Sequence, residues 1–126
     1  MKISQFLPAF SWFLLCFILL TLPGSTVPKS AWLAMIQADK WVHIGLFGML
    51  CFLSMLPFRA SSYPNQQRRK WFLFITLGGI LLGVLMEFIQ ESWVINRSFE
   101  YGDILADTAG CIVAYYISLR KLLVKG

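Results

Sequence analysis

Three short stretches of this chain carry residue types that can do chemistry: Asp39-Lys40-Trp41-Val42-His43, Glu87-Phe88-Ile89-Gln90 and Asp103-Ile104-Leu105-Ala106-Asp107. On a helix, residues four apart share a face, so Asp39 lies with His43 and Asp103 with Asp107. Gln90 follows Glu87 by three positions and falls on the same side of its helix. An imidazole among carboxylates can move a proton, with Glu87 or Asp107 as general base and His43 as carrier. The same groups can hold a cation. One nitrogen with several oxygens is a donor set that Zn²⁺ or Mn²⁺ tolerates. No H-E-x-x-H or comparable spacing accompanies it, so the sequence alone assigns no metal. Arg97 and Lys40 are the cations nearest these acids in the chain, too few to neutralise them or to build a phosphate site.

The elements that must position these residues are apolar. Of the 126 residues, 58% are hydrophobic and 13% are charged, where soluble domains average about 25% charged. A soluble domain of this size buries only about two-thirds of the surface its unfolded chain exposes, too little to hide so many apolar side chains. The chain therefore reads as an all-α integral membrane bundle and, by its length, as one domain covering residues 1–126. The net charge of +5 is not a nucleic-acid signature, because Lys and Arg form short tracts beside apolar runs rather than a stripe. Membrane lipid is the partner this composition implies. Cys16, Cys51 and Cys111 all lie within apolar runs and read as small buried hydrophobes.

Four apolar runs, Phe6–Leu22, Trp41–Leu56, Trp71–Phe88 and Ile104–Leu119, are each just long enough to cross a hydrocarbon core about 30 Å thick. Pro23 and Gly24 end the first and Pro57 the second. Lys2 ahead of the first run also fits a signal peptide, but the run exceeds a usual h-region and no A-x-A site follows. With the N-terminus in the cytoplasm, eight of the eleven Lys and Arg side chains fall on the cytoplasmic side, including Arg59, Arg68, Arg69, Lys70, Arg120 and Lys121. Four spans with both termini cytoplasmic is the arrangement the positive-inside rule selects.

All six carboxylate side chains and His43 then collect at the outer ends of the spans. At 1.5 Å per residue, Asp107 lies about 6 Å deeper than Asp103. Asp103 is expected to cap its helix and meet water, and Glu91 and Glu100 can be solvated, while Asp107, Glu87 and His43 must face the bundle interior. An acid at the bilayer centre costs about 2.5–3.5 kcal/mol on insertion scales, less toward the interface, and that cost selects partners. Gly79 and Gly83 on the third run, and Gly110 between Ala106 and Ala114 on the fourth, provide the small-residue spacing that lets helices approach in lipid. Trp12, Trp41, Trp71, Trp93 and Tyr101 read as interfacial anchors.

The order and spacing of these polar residues resemble the VanZ-like family of small bacterial membrane proteins, whose motifs read D-K-x-x-H, E-x-x-Q, R-x-x-x-x-x-D and A-N-x-x-G. Here they stand as Asp39-Lys40-x-x-His43, Glu87-x-x-Gln90, Arg97 six residues before Asp103, and Ala106-Asp107-x-x-Gly110. Asp107 departs from the family, which commonly has Asn at that place. The resemblance implies a multi-pass protein of the bacterial cytoplasmic membrane. Through one member, it also implies a link to resistance against the glycopeptide antibiotic teicoplanin, a phenotype that is not carried over as this chain's task. No reaction and no cofactor come with it. Two function classes stay open at this point. One is an envelope protein that binds a lipid or lipid-linked headgroup, or a protein partner, at its outer face. The other is a membrane enzyme acting on a lipid-linked or cell-wall precursor. A proton- or cation-coupled transporter is disfavoured, because no charged residue lies near the middle of a span.

Overall fold

The computed structural model describes residues 2–22, 38–95 and 99–123, and among them the secondary structure is helical throughout. The α-helices are α1 (Leu7–Leu20), α2 (Ala38–Met55), α3 (Asn65–Trp93) and α4 (Tyr101–Lys121), with 3-10 turns at Ile3–Phe6 and Leu56–Ala60. Pro8 sits in the first turn of α1, where a missing N–H is harmless. Pro57 follows the end of α2 and tightens the chain into the second 3-10 turn, which Ser61 N–H closes onto Phe58 O at 3.2 Å. Hydroxyls inside the apolar helices bond the carbonyl one turn back, as Thr76 does to Phe72 O and Thr108 to Ile104 O, both at 2.8 Å.

Several boundaries differ from the apolar runs, and two of the differences matter for the site and its surroundings. The third helix is 29 residues long and takes in the polar run Asn65–Lys70, which the sequence places in a loop. Pro64, extended at φ −68° and ψ 158°, starts it. A helix outside the hydrocarbon needs only its backbone bonds, so an apolar stretch marks the embedded part and not the helix. Arg68, grouped by sequence with the loop cations, consequently lies on α3. It is buried, with Nη2 donating to Ser61 O at 2.6 Å and Nη1 to Asn65 Oδ1 at 3.3 Å. At the other boundary Glu100, not Asp103, is the N-cap residue of α4, and it caps through the backbone alone. Asp103 N–H donates to Glu100 O at 3.1 Å, which places Asp103 in the first helical turn.

Successive helices run in opposite directions. At one end Phe58 packs on Phe6, Tyr63, Trp71 and Phe72, with ring centroids 5.9–6.2 Å apart. At the other end the termini of all four helices meet around the polar residues. Between them lies a core that includes Phe47, Cys51, Met55, Phe72 and Cys111. The closest approach is that of α2 and α4. A Cβ on Gly110 would collide with Ile44 O and stand 3.0 Å from Gly48 N, and one on Gly48 would lie 3.2 Å from Gly110 O. On α3, a Cβ on Gly79 would stand 2.6 Å from Cys51 Sγ and 2.8 Å from Cys111 Sγ. The small-residue spacing thus marks real contacts on both helices. Helix α1 is peripheral, tied by Trp12 Nε1–H to Leu46 O at 2.9 Å and by Cys16 Sγ to the same carbonyl at 3.7 Å.

Three stretches, Ile3–Leu20, Ala38–Ala60 and Asn65–Trp93, are long and apolar enough to cross a membrane. Helix α4 is long enough but less apolar than these three, since its sequence spends positions on Asp103, Asp107 and small packing residues. The faces turned away from the core are apolar on every helix, as at Phe10, Val42, Phe74, Leu81, Leu105 and Val113.

Candidate functional site

The polar end of the bundle is built by three helix termini: the start of α2, the end of α3 and the start of α4. It has two layers. The outer one centres on Lys40, whose Nζ pairs with Asp39 Oδ2 at 2.8 Å, with Asp103 Oδ1 at 2.5 Å, and with Glu100. Gly102 leaves room for the lysine as it lies, since a Cβ there would stand 2.8 Å from Lys40 Cε. Asp39 and Glu100 are about half exposed, so each of their pairs is screened and contributes little singly. Their joint effect is to fix one ammonium over the mouth of the inner layer.

The inner layer is His43, Glu87, Asp103 and Asp107, exposed to 4%, 1%, 7% and 1%. The imidazole stacks against Phe47, with centroids 6.5 Å apart and planes 9° from parallel. Its Nδ1 lies 2.7 Å from Asp107 Oδ1 and its Nε2 lies 3.6 Å from Asp103 Oδ2. With Asp107 ionised, Nδ1 carries the proton and donates it to the carboxylate, which leaves Nε2 facing the other acids. Asp107 fits because Gly83 has no side chain: a Cβ on Gly83 would stand 2.8 Å from both Asp107 Cβ and Oδ2. Glu87 Oε2 accepts the Glu100 N–H at 2.9 Å, an unpaired donor at the start of α4. Two carboxylate oxygens in this layer, Glu87 Oε1 and Asp107 Oδ2, are buried without a hydrogen-bond partner among the described residues.

Of the residues the sequence singled out, Asp39, Lys40, His43, Glu87, Asp103 and Asp107 converge. Asp103 is not the solvated cap expected from its place in the chain. Helix α2 covers it, and it links the layers by giving one oxygen to Lys40 and turning the other to His43. Gln90 also leaves the cluster: its Nε2–H donates to Leu20 O at 2.8 Å and docks the end of α1. Arg97 lies outside the described residues. Glu100 is the member that sequence reasoning passed over, although its position three residues before Asp103 put the two within reach of one partner.

The arrangement gathers five carboxylates at one end with a single described lysine, which pairs with three of them, so it suits cationic groups. Two sets of three donors stand close enough to share an ion, each within 4.8 Å of one another: His43, Glu87 and Asp103 inside, and Asp39, Glu100 and Asp103 outside. The outer set already surrounds the Lys40 ammonium. No protein-family model, curated protein or solved structure matches this chain.

Proposed function

We propose that this chain is a VanZ-like, four-span protein of the bacterial cytoplasmic membrane, with both termini in the cytoplasm. In this reading its carboxylate-lined end, on the extracytoplasmic side, binds the amine-bearing headgroup of an envelope lipid or lipid-linked cell-wall precursor. The observation that carries the reading is the charge of that end: five carboxylates held by three helix termini with a single described cation among them, on a molecule whose flanks are apolar. A primary ammonium can exchange into the Asp39–Glu100 pair, where Lys40 now sits, while acyl chains lie along the exposed apolar faces.

Native mass spectrometry of the detergent-purified protein with phosphatidylethanolamine and phosphatidylglycerol tests this. Preferential retention of the ethanolamine lipid, lost on Glu100→Gln, is the expected result. Equal retention of both lipids, or no change on Glu100→Gln, refutes it.

One observation favours a second reading, a membrane enzyme acting on such a precursor. The His43–Asp107 contact orients the imidazole and leaves Nε2 free for proton transfer, an arrangement common to general acid–base sites. Turnover of a lipid-linked substrate that His43→Gln abolishes, with headgroup retention unchanged, would select this reading over simple binding.

A further inference from the structure

We propose that the inner layer is a divalent-metal site, with His43 Nε2, Glu87 and Asp103 as ligands and Asp107 as the group that orients His43. The inference deepens the reading of this end as the functional site and rests on it.

Four observations converge. The first is the hydrogen bond from His43 Nδ1 to Asp107 at 2.7 Å. Metal-bound histidines ordinarily give their second ring N–H to a carboxylate or carbonyl, which fixes the tautomer and aims the other nitrogen at the ion. The second is spacing. Donors each about 2.1 Å from a tetrahedral ion stand about 3.4 Å apart, and His43 Nε2 and Asp103 Oδ2 are 3.6 Å apart. The third is Glu87 Oε1, which lacks a partner on a side chain only 1% exposed. The Glu87 carboxylate belongs to the set of three whose donor atoms lie within 4.8 Å of one another. The fourth is the division of labour in Asp103: Lys40 holds Oδ1 and leaves Oδ2 for the ion.

Without a cation, the lone pair of Nε2 faces a carboxylate in a buried space. A second proton on the ring and another shared between Glu87 and Asp103 would relieve these contacts only together, whereas a single ion satisfies all three donors at once. One imidazole and two carboxylates select a first-row ion such as Zn²⁺ or Mn²⁺ over Mg²⁺ or Ca²⁺, which prefer oxygen and water. With three protein ligands, an ion held here would keep coordination capacity that a phosphate or carboxylate of a bound precursor could use.

The test uses the full chain in detergent, stripped with chelator. Titration with Zn²⁺ and Mn²⁺ should show one bound equivalent and a rise in Tm of about 5 °C or more at saturation, with little response to Mg²⁺. His43→Gln and Glu87→Gln should abolish both effects, and Asp107→Leu should weaken binding about 10-fold or more. Glu91→Gln, at an exposed position one turn beyond Glu87, should bind the ion as the parent does. Glu87→Gln preserves shape, so it keeps the test valid if His43→Gln does not fold. A natively folded protein that binds neither ion, or one whose binding survives both Glu87→Gln and His43→Gln, overturns the inference. Selective retention of phosphatidylethanolamine by that metal-free protein would leave the headgroup reading standing. Ion binding without lipid selectivity would do the reverse.

Discussion

Asp107 accepts the His43 N–H through one oxygen and turns the other, unpartnered, against Gly83. An Asn side chain reproduces the first of these contacts and the shape of the second. Asp107→Asn is therefore expected to keep thermal stability within about 1 kcal/mol, while Asp107→Leu strands the buried N–H and loses about 1–3 kcal/mol. Unfolding in detergent, followed by circular dichroism, measures both. A Leu variant as stable as the parent would mean that this contact does not hold the fold. The spacing of Asp107 and His43 and their depth along apolar runs were enough to place them in the interior. Asp103 was misread for a physical reason. Depth counted along one helix ignores its neighbours, and the start of α2 covers a position that would be wet on α4 alone. Glu100 shows the complementary limit, because its backbone N–H and its carboxylate serve two different partners, Glu87 and Lys40.

At the scale of the elements, glycine decides how closely the helices meet. Gly110 faces the backbone of α2, which cannot move aside without disturbing the helix, whereas a Cβ on Gly78 meets nothing within 4 Å. Gly110→Ala should cost about 1–3 kcal/mol through overpacking. Gly78→Ala should be neutral or stabilise by up to about 1 kcal/mol through helix propensity. Thermal unfolding of the two variants side by side checks the contrast, and equal effects would contradict the tight α2–α4 contact. The sequence marked Gly79, Gly83 and Gly110 by their spacing, and each meets another helix. What it could not supply was the opposite side of each contact. Gly48, Ile44, Cys51 and Cys111 are brought to these glycines by the rotation of each helix about its axis, which no local pattern encodes. The helical start of α3 was equally hidden, since Asn65–Lys70 carries no apolar period.

The whole molecule is electrically lopsided. Its carboxylates and imidazole lie at one end. Lys2, Arg59, Arg68, Arg69, Lys70, Arg120 and Lys121 lie at the other, where no carboxylate side chain occurs among the described residues. The proposed orientation follows from this asymmetry and can be read by thiol labelling, with little background from the three buried native cysteines. In intact cells an impermeant maleimide should modify Glu91→Cys and should reach Gln66→Cys only after permeabilisation, and the reverse pattern would invert the topology. The lower hydropathy of α4 carries a consequence for biosynthesis. Helices α1 to α3 are each long and apolar enough to leave the translocation channel for lipid without a partner's help. On the four-span reading α4 is the least suited of the four to do so, because two carboxylates on one face gain from Lys40 and His43 as company. Its entry into the bilayer is therefore expected to gain from assembly, with α2 beside the channel to receive it when α4 emerges from the ribosome.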